Sequence, residues 1–242
     1  MFFRSTRVCQ PALYLQGFCL AEWLIQNSKV DEGSVSSALG LSLGELTALA
    51  IAGVFDFSTG LKVVAERGRL MQEACEATDG SMAALMGGSR EAASDLAERF
   101  DLDVANFNCP GQIVLSGVRK NIQSAVEAAS AAGFKMAKEL NVAGAYHSRL
   151  MQPAAEKFEA FLQSIPFQTP RFPIYTNTTG KKIEDPAGIA EALVEQITGS
   201  VYFEDNLRNA AQDSASTRFL ECGPGGILAG FIRRIDRQWE VI

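Results

Sequence analysis

Residues 40–45 read Gly-Leu-Ser-Leu-Gly-Glu, which places Ser42 in the pattern G-x-S-x-G. A serine in that pattern can act as a nucleophile when a strand ends at it and a helix begins. Glycines permit the sharp turn, and the turn lifts the hydroxyl clear of the sheet. The first N–H groups of the following helix have no partner within it, so they can stabilise an oxyanion; the Leu43 N–H is the expected donor. A serine nucleophile needs a base. The chain has one histidine, His147, in V-A-G-A-Y-H-S-R-L-M. A lone histidine is more often an ordinary core or surface residue. If Ser42 attacks with an imidazole base, however, no other residue can be that base. No aspartate or glutamate presents itself as a third member, and a backbone carbonyl can hold the imidazole tautomer instead.

These residues need a scaffold. VSSALGLS (35–42) is predicted to form a short buried strand, followed by a helix from Glu45 that stops at Gly53. A second helix spans 57–77. Residues 81–143 read as strand, helix, strand, strand, helix, strand, with a Cys109-Pro110-Gly111 turn between the middle strands. This β-α-β-β-α-β order is the split ferredoxin-like unit. It is flanked by segments that alternate strand and helix, as a mostly parallel sheet requires. We therefore expect an α/β fold: an α/β-hydrolase-like core from residues 1–79 and 147–242, with a ferredoxin-like subdomain (80–146) inserted. His147 then falls at the junction of the two parts, where clefts form. Later helices are expected at 148–164, 188–196 and 203–211, and a strand, glycine turn and helix close the chain.

Composition narrows the function. The 242 residues are 47% hydrophobic and 21% charged, with net charge −6. That is ordinary globular composition, and an acidic chain without a basic cluster is a poor nucleic-acid binder. No apolar run approaches the roughly 18 residues of a membrane span. Cys9, Cys19, Cys75, Cys109 and Cys222 lack ligand or disulfide spacing, which argues for reduced thiols in a cytoplasmic setting and against structural zinc. The first 20 residues carry two arginines and no acid, features of a transit peptide. Apolar residues recurring at helical spacing from Pro11 onward, with Pro11 in the first turn, favour a buried helix instead.

Longer stretches carry a resemblance. QPALYLQGFCLAE, GLSLGELTALA, AERGRLMQEA, SMAALMG, NFNCPGQIVLSG, VAGAYHSRLMQPA, FPIYTNTTG and LECGPGGILAGFIRRI occur in order along nearly the whole chain. Together they resemble the malonyl-CoA:acyl carrier protein transacylases and the acyltransferase domains of fatty-acid and polyketide synthases. The resemblance implies that Ser42 carries the acyl group and that His147 is its base. It implies that Arg67 binds the free carboxylate of malonate, a task suited to a bidentate guanidinium. Arg69, two residues on, is the obvious decoy. Met71 lies one turn beyond Arg67 and would line the pocket or simply pack in the core. Gln196 matches the residue whose backbone carbonyl orients the histidine. Gln10 and Asn108 match pocket-lining positions, although Asn108 beside Pro110 could equally be a turn residue. The implied substrate is malonyl-CoA and the implied partner is the phosphopantetheine arm of acyl carrier protein. No bound cofactor, metal, nucleic acid or membrane is called for.

Two features depart from the family pattern. Leu41 stands where histidine usually precedes the nucleophile, and Tyr146 precedes His147 where malonyl-selective polyketide enzymes carry phenylalanine. A larger departure is that the family's N-terminal strand and G-Q-G-x-Q motif, source of a second oxyanion donor, are not found here. The loss of that strand is expected to expose core surface and an unpaired sheet edge. It also implies impaired transfer. Two other functions compete: a serine esterase or thioesterase, and a truncated, non-catalytic module that binds carrier protein without forming a covalent adduct.

Overall fold

The computed structural model describes residues 5–242; residues 1–4, part of the stretch weighed as a transit peptide, lie outside it. Helix α1 (Thr6–Gln26) begins five residues before Pro11, which therefore sits inside the helix. Proline there removes one helical hydrogen bond. The buried face of α1 also differs from the expected apolar one. It consists of Thr6, Gln10, Tyr14, Gly17 and Ala21, while Leu13, Leu15 and Trp23 are exposed. Close packing explains this. A methyl group on Gly17 would stand 2.8 Å from the Cys222 carbonyl oxygen, so position 17 admits no side chain, while Tyr14 fills the apolar core beside it.

Strand β1 is only Ala38–Leu39 and leads into helix α2 (Leu43–Ile51). Gly53, with φ +80°, ends the helix as expected. Helix α3 (Phe57–Ala77) has the predicted bounds; the Asp56 carboxylate caps it by accepting the Thr59 N–H at 2.6 Å. Its buried face includes Val63, Val64, Arg67, Leu70 and Met71 and packs on α1 and α2.

Strand β2 (Gly80–Met86), helix α4 (Arg90–Arg99), strands β3 (Asp103–Cys109) and β4 (Gln112–Val118), helix α5 (Arg119–Ala128) and strand β5 (Met136–Glu139) follow. The four strands form an antiparallel sheet in the order β3-β4-β2-β5. Leu85, Leu96, Leu115 and Ile122 give this unit an apolar core of its own. It is stitched to the rest of the molecule at Val201, whose N–H and C=O bond Ala105 and Phe107 of β3, each at 2.8 Å.

The helix expected at 148–164 divides into a 3₁₀ turn (Arg149–Met151) and α6 (Gln152–Leu162). Pro153, near its N-terminus, needs no N–H partner there and favours a fresh helix start. Strands β6 (Ile174–Tyr175) and β7 (Lys182–Ile183), helices α7 (Pro186–Thr198) and α8 (Phe203–Ser214), strand β8 (Arg218–Phe219), helix α9 (Ile227–Ile235) and strand β9 (Glu240–Val241) complete the chain. The fold is mixed α/β. Where one mostly parallel sheet was expected, the described residues form two short separate sheets. Strand β6 pairs parallel with β1 and antiparallel with β7, while β8 and β9 pair parallel. Among the described residues, β1 pairs on one side only. Ala38 and Leu39 of β1 also help line a cavity of about 700 Å³, together with apolar residues such as Ile25, Leu43, Phe203 and Leu220. No helix among the described residues is long and apolar enough to cross a membrane.

Candidate active site

Ser42 occupies the turn between β1 and α2 with φ 53° and ψ −107°. Non-glycine residues rarely adopt positive φ, and such backbone strain costs on the order of 1–3 kcal/mol. The turn closes because Gly40 lacks a side chain: a Cβ there would lie 2.0 Å from the Gly44 carbonyl carbon. Leu43 is the first residue of α2, so its N–H has no partner within the helix. The neighbouring donors are occupied: the Gly44 N–H bonds the Leu41 carbonyl at 2.9 Å, and the Ser42 N–H bonds Asn177 Oδ1 at 2.6 Å.

His147 lies in the loop after β5, also at positive φ (55°), and is buried. Its Nε2 is 2.8 Å from Ser42 Oγ, and its Nδ1 is 2.7 Å from the Gln196 backbone carbonyl oxygen. A carbonyl only accepts, so Nδ1 carries the proton and the Nε2 lone pair faces the Ser42 hydroxyl. Burial holds the imidazolium form down, the Arg67 charge adds to this, and the Gln196 carbonyl opposes both. The pKa falls from 6.5 to about 4. The ring is therefore neutral and ready to accept a proton at neutral pH.

Arg67 reaches the same point from α3 and is almost fully buried, at 1% exposure. Its Nη2 donates to Ser42 Oγ at 3.1 Å and to Gln196 Oε1 at 2.8 Å, and its Nη1 donates to Gln10 Oε1 at 2.6 Å. Its Nε is buried without a partner. Burial lowers its pKa to about 10, offset in part by the Glu45 charge, so it stays cationic at neutral pH. Met71 lies behind it, and the Met71 sulfur is 3.5 Å from Gln10 Nε2. Arg69 instead turns outward and pairs with Glu66 and Glu73.

Seven of the eight residues singled out from the sequence thus converge: Ser42, Leu43, His147, Gln196, Arg67, Gln10 and Met71. Asn108 shares no hydrogen bond with these residues. It is buried on β3, and its Oδ1 has no hydrogen-bond partner. Tyr146 is half-buried against Cys75, and burial pushes its hydroxyl pKa up. The large apolar cavity borders the turn at Gly40, Leu41 and Leu43 but is not lined by Ser42, Arg67 or His147. Two residues escaped the sequence reading, Glu45 and Asn177. The only signal for them was position, one directly after G-x-S-x-G and the other at the end of a predicted strand.

Residues 2–237 match the family described as the acyl transferase domain. The chain belongs to that family. It is 40% identical over 242 residues to the polyketide biosynthesis malonyl CoA-acyl carrier protein transacylase BaeC of Bacillus velezensis, covering 98% of this chain and 80% of the relative. Among solved structures, the malonyl CoA-acyl carrier protein transacylase of Coxiella burnetii superposes with a TM-score of 0.93 at 30% identity, covering 99% of this chain and 76% of the other. A type II polyketide malonyl-transacylase, solved in complex with its acyl carrier protein, gives 0.91 at 33% identity over 99% and 78% of the two chains.

Proposed function

We propose that this acyltransferase moves a malonyl group from malonyl-CoA to the phosphopantetheine thiol of acyl carrier protein, in fatty-acid or polyketide synthesis, through a malonyl-Ser42 ester. One observation carries the reading: Ser42 Oγ lies within hydrogen-bond reach of both a neutral imidazole and a buried guanidinium. His147 Nε2 takes the hydroxyl proton as Ser42 Oγ attacks the thioester carbonyl. The Leu43 N–H faces the resulting oxyanion. Collapse breaks the C–S bond, and His147 returns the proton to the departing coenzyme A sulfur. In the second half, His147 deprotonates the carrier thiol, the thiolate attacks the ester, and Ser42 leaves with the proton. The Gln196 carbonyl keeps the imidazole in one tautomer throughout.

Arg67 fixes the free carboxylate of the malonyl group. Its Nε is an unpaired buried donor, and a carboxylate supplies the acceptor and the charge that such a donor lacks. Gln10 and Met71 line the same pocket. No bound cofactor takes part. We further assign residues 80–146 as a ferredoxin-like subdomain inserted into an α/β-hydrolase-like core of residues 1–79 and 147–242, and place the enzyme in the cytoplasm. The test is transfer from malonyl-CoA to holo acyl carrier protein, followed by mass. The reading expects malonyl-carrier protein from the wild type and none from His147→Ala. Carrier-protein binding without transfer would support the non-catalytic module, and hydrolysis without transfer would support the thioesterase.

A further inference from the structure

We propose that Asn177 and Glu45 are positioning residues that hold the two halves of the dyad from behind, Asn177 the serine and Glu45 the histidine. The proposal rests on the reading of Ser42 and His147 as nucleophile and base. Neither Asn177 nor Glu45 has a hydrogen bond to Ser42 Oγ or to the imidazole, so each acts through another residue.

Parallel pairing of β1 with β6 sets Leu39 beside Tyr175. Two residues further along each chain, Asn177 arrives next to the turn. Its side chain brackets that turn: Oδ1 accepts the Ser42 N–H at 2.6 Å, and Nδ2 donates to the Gly40 carbonyl at 2.7 Å. Its backbone is fixed as well, with N–H donating to Glu45 Oε2 at 2.9 Å and C=O accepting from Tyr202 at 2.8 Å. Asn177 is fully buried. The Ser42 backbone is strained and needs outside support to keep φ at 53°. The two amide bonds provide it, and they set both the aim of Oγ and the direction of the Leu43 N–H.

Glu45 serves the other half. The same Oε2 that receives the Asn177 N–H also accepts Gln196 Nε2 at 2.7 Å. Gln196 in turn holds His147 Nδ1 through its carbonyl and Arg67 Nη2 through Oε1. The nucleophile turn, the imidazole and the guanidinium therefore converge on one carboxylate oxygen.

The test is the single-turnover rate of malonyl-Ser42 formation per folded molecule, with the folded fraction measured by near-ultraviolet circular dichroism. Asn177→Asp keeps the acceptor for Ser42 but loses the donor to Gly40; misplacement of a reacting atom at this scale predicts a rate about 10²-fold lower, with KM for malonyl-CoA little changed. Glu45→Ala predicts a similar loss. Glu45→Gln retains an oxygen able to accept both N–H groups and is expected to restore the rate to within about threefold of wild type. Should Glu45→Ala fail to fold, Glu45→Leu takes its place. The sole imidazole gives a second readout: its nitrogen resonances are expected to lose the pure Nδ1–H pattern in Glu45→Ala and to keep it in Asn177→Asp. Wild-type rates in folded Asn177→Asp and Glu45→Ala overturn the proposal. A wild type that never acylates overturns the transacylase reading itself, which keeps the two failures distinct.

Discussion

Acidification should silence His147 far later than an ordinary histidine. Its imidazole titrates at about 4 rather than 6.5 because it is buried and faces the Arg67 charge. At about 1.36 kcal/mol per pK unit, that displacement disfavours the imidazolium by about 3 kcal/mol. At pH 5.5 an ordinary imidazole is about nine-tenths protonated, whereas this one is over nine-tenths neutral. Acylation of Ser42 is therefore expected to stay nearly constant from pH 7 to about 5 and to fall with a midpoint near 4. The same displacement enters stability. Between pH 6.5 and about 4 the unfolded chain takes up a proton that the native chain refuses. The contribution of His147 is thus fully present above 6.5 and declines by about 3 kcal/mol as the pH falls to about 4. Because the chain has one histidine, its imidazole resonances can be titrated without assignment, alongside single-turnover acylation and urea unfolding of wild type and His147→Gln. An imidazole that titrates near 6.5, with acylation falling at the same pH, would refute the buried, neutral base.

Other outcomes follow from the same geometry. Glu45 has the opposite sign: burial raises its pKa from 4.5 to about 7 against the Asn177 and Gln196 hydrogen bonds and the Arg67 charge. Its stabilising contribution is present below 4.5 and lost as pH rises to about 7, so urea unfolding should show Glu45→Gln gaining on wild type by about 3 kcal/mol across that window. Arg67→Lys loses the planar fork and is expected to lower kcat/KM for malonyl-CoA by about 2–5 kcal/mol of transition-state binding. Arg69→Ala, on the outward side of the same helix, should leave kcat/KM unchanged. Gly40→Ala forces a methyl group onto the Gly44 carbonyl carbon and should destabilise the chain by about 1–3 kcal/mol or more in thermal unfolding.

Helix α3 was legible to its ends because its long run of Lys, Arg, Glu, Met and Leu is a local signal. The β-α-β-β-α-β unit was legible for the same reason: its strands and helices are short, alternate in pattern and are punctuated by glycine and proline. The start of α1 was not, since a proline normally marks a first turn, and here the helix runs five residues ahead of it. The exposed leucines of α1 misled for a related reason, since only the packed partners reveal that the buried face is the one carrying Gln10, Tyr14 and Gly17. Ser42 and His147 could be found from residue type and number. Asn177 could not: its bond to Ser42 spans 135 residues and depends on the β1–β6 register. Its local sequence, T-N-T-T-G, reads only as a turn.

The central claim is that Ser42 becomes a malonyl ester. Intact-mass spectrometry of the purified chain after brief exposure to malonyl-CoA tests it directly, with Ser42→Ala alongside. The geometry predicts one malonyl mass added to the wild type, none to Ser42→Ala, and loss of the adduct when holo acyl carrier protein is added. A folded wild type that gains no mass, or a Ser42→Ala variant that gains the same mass, would contradict the account.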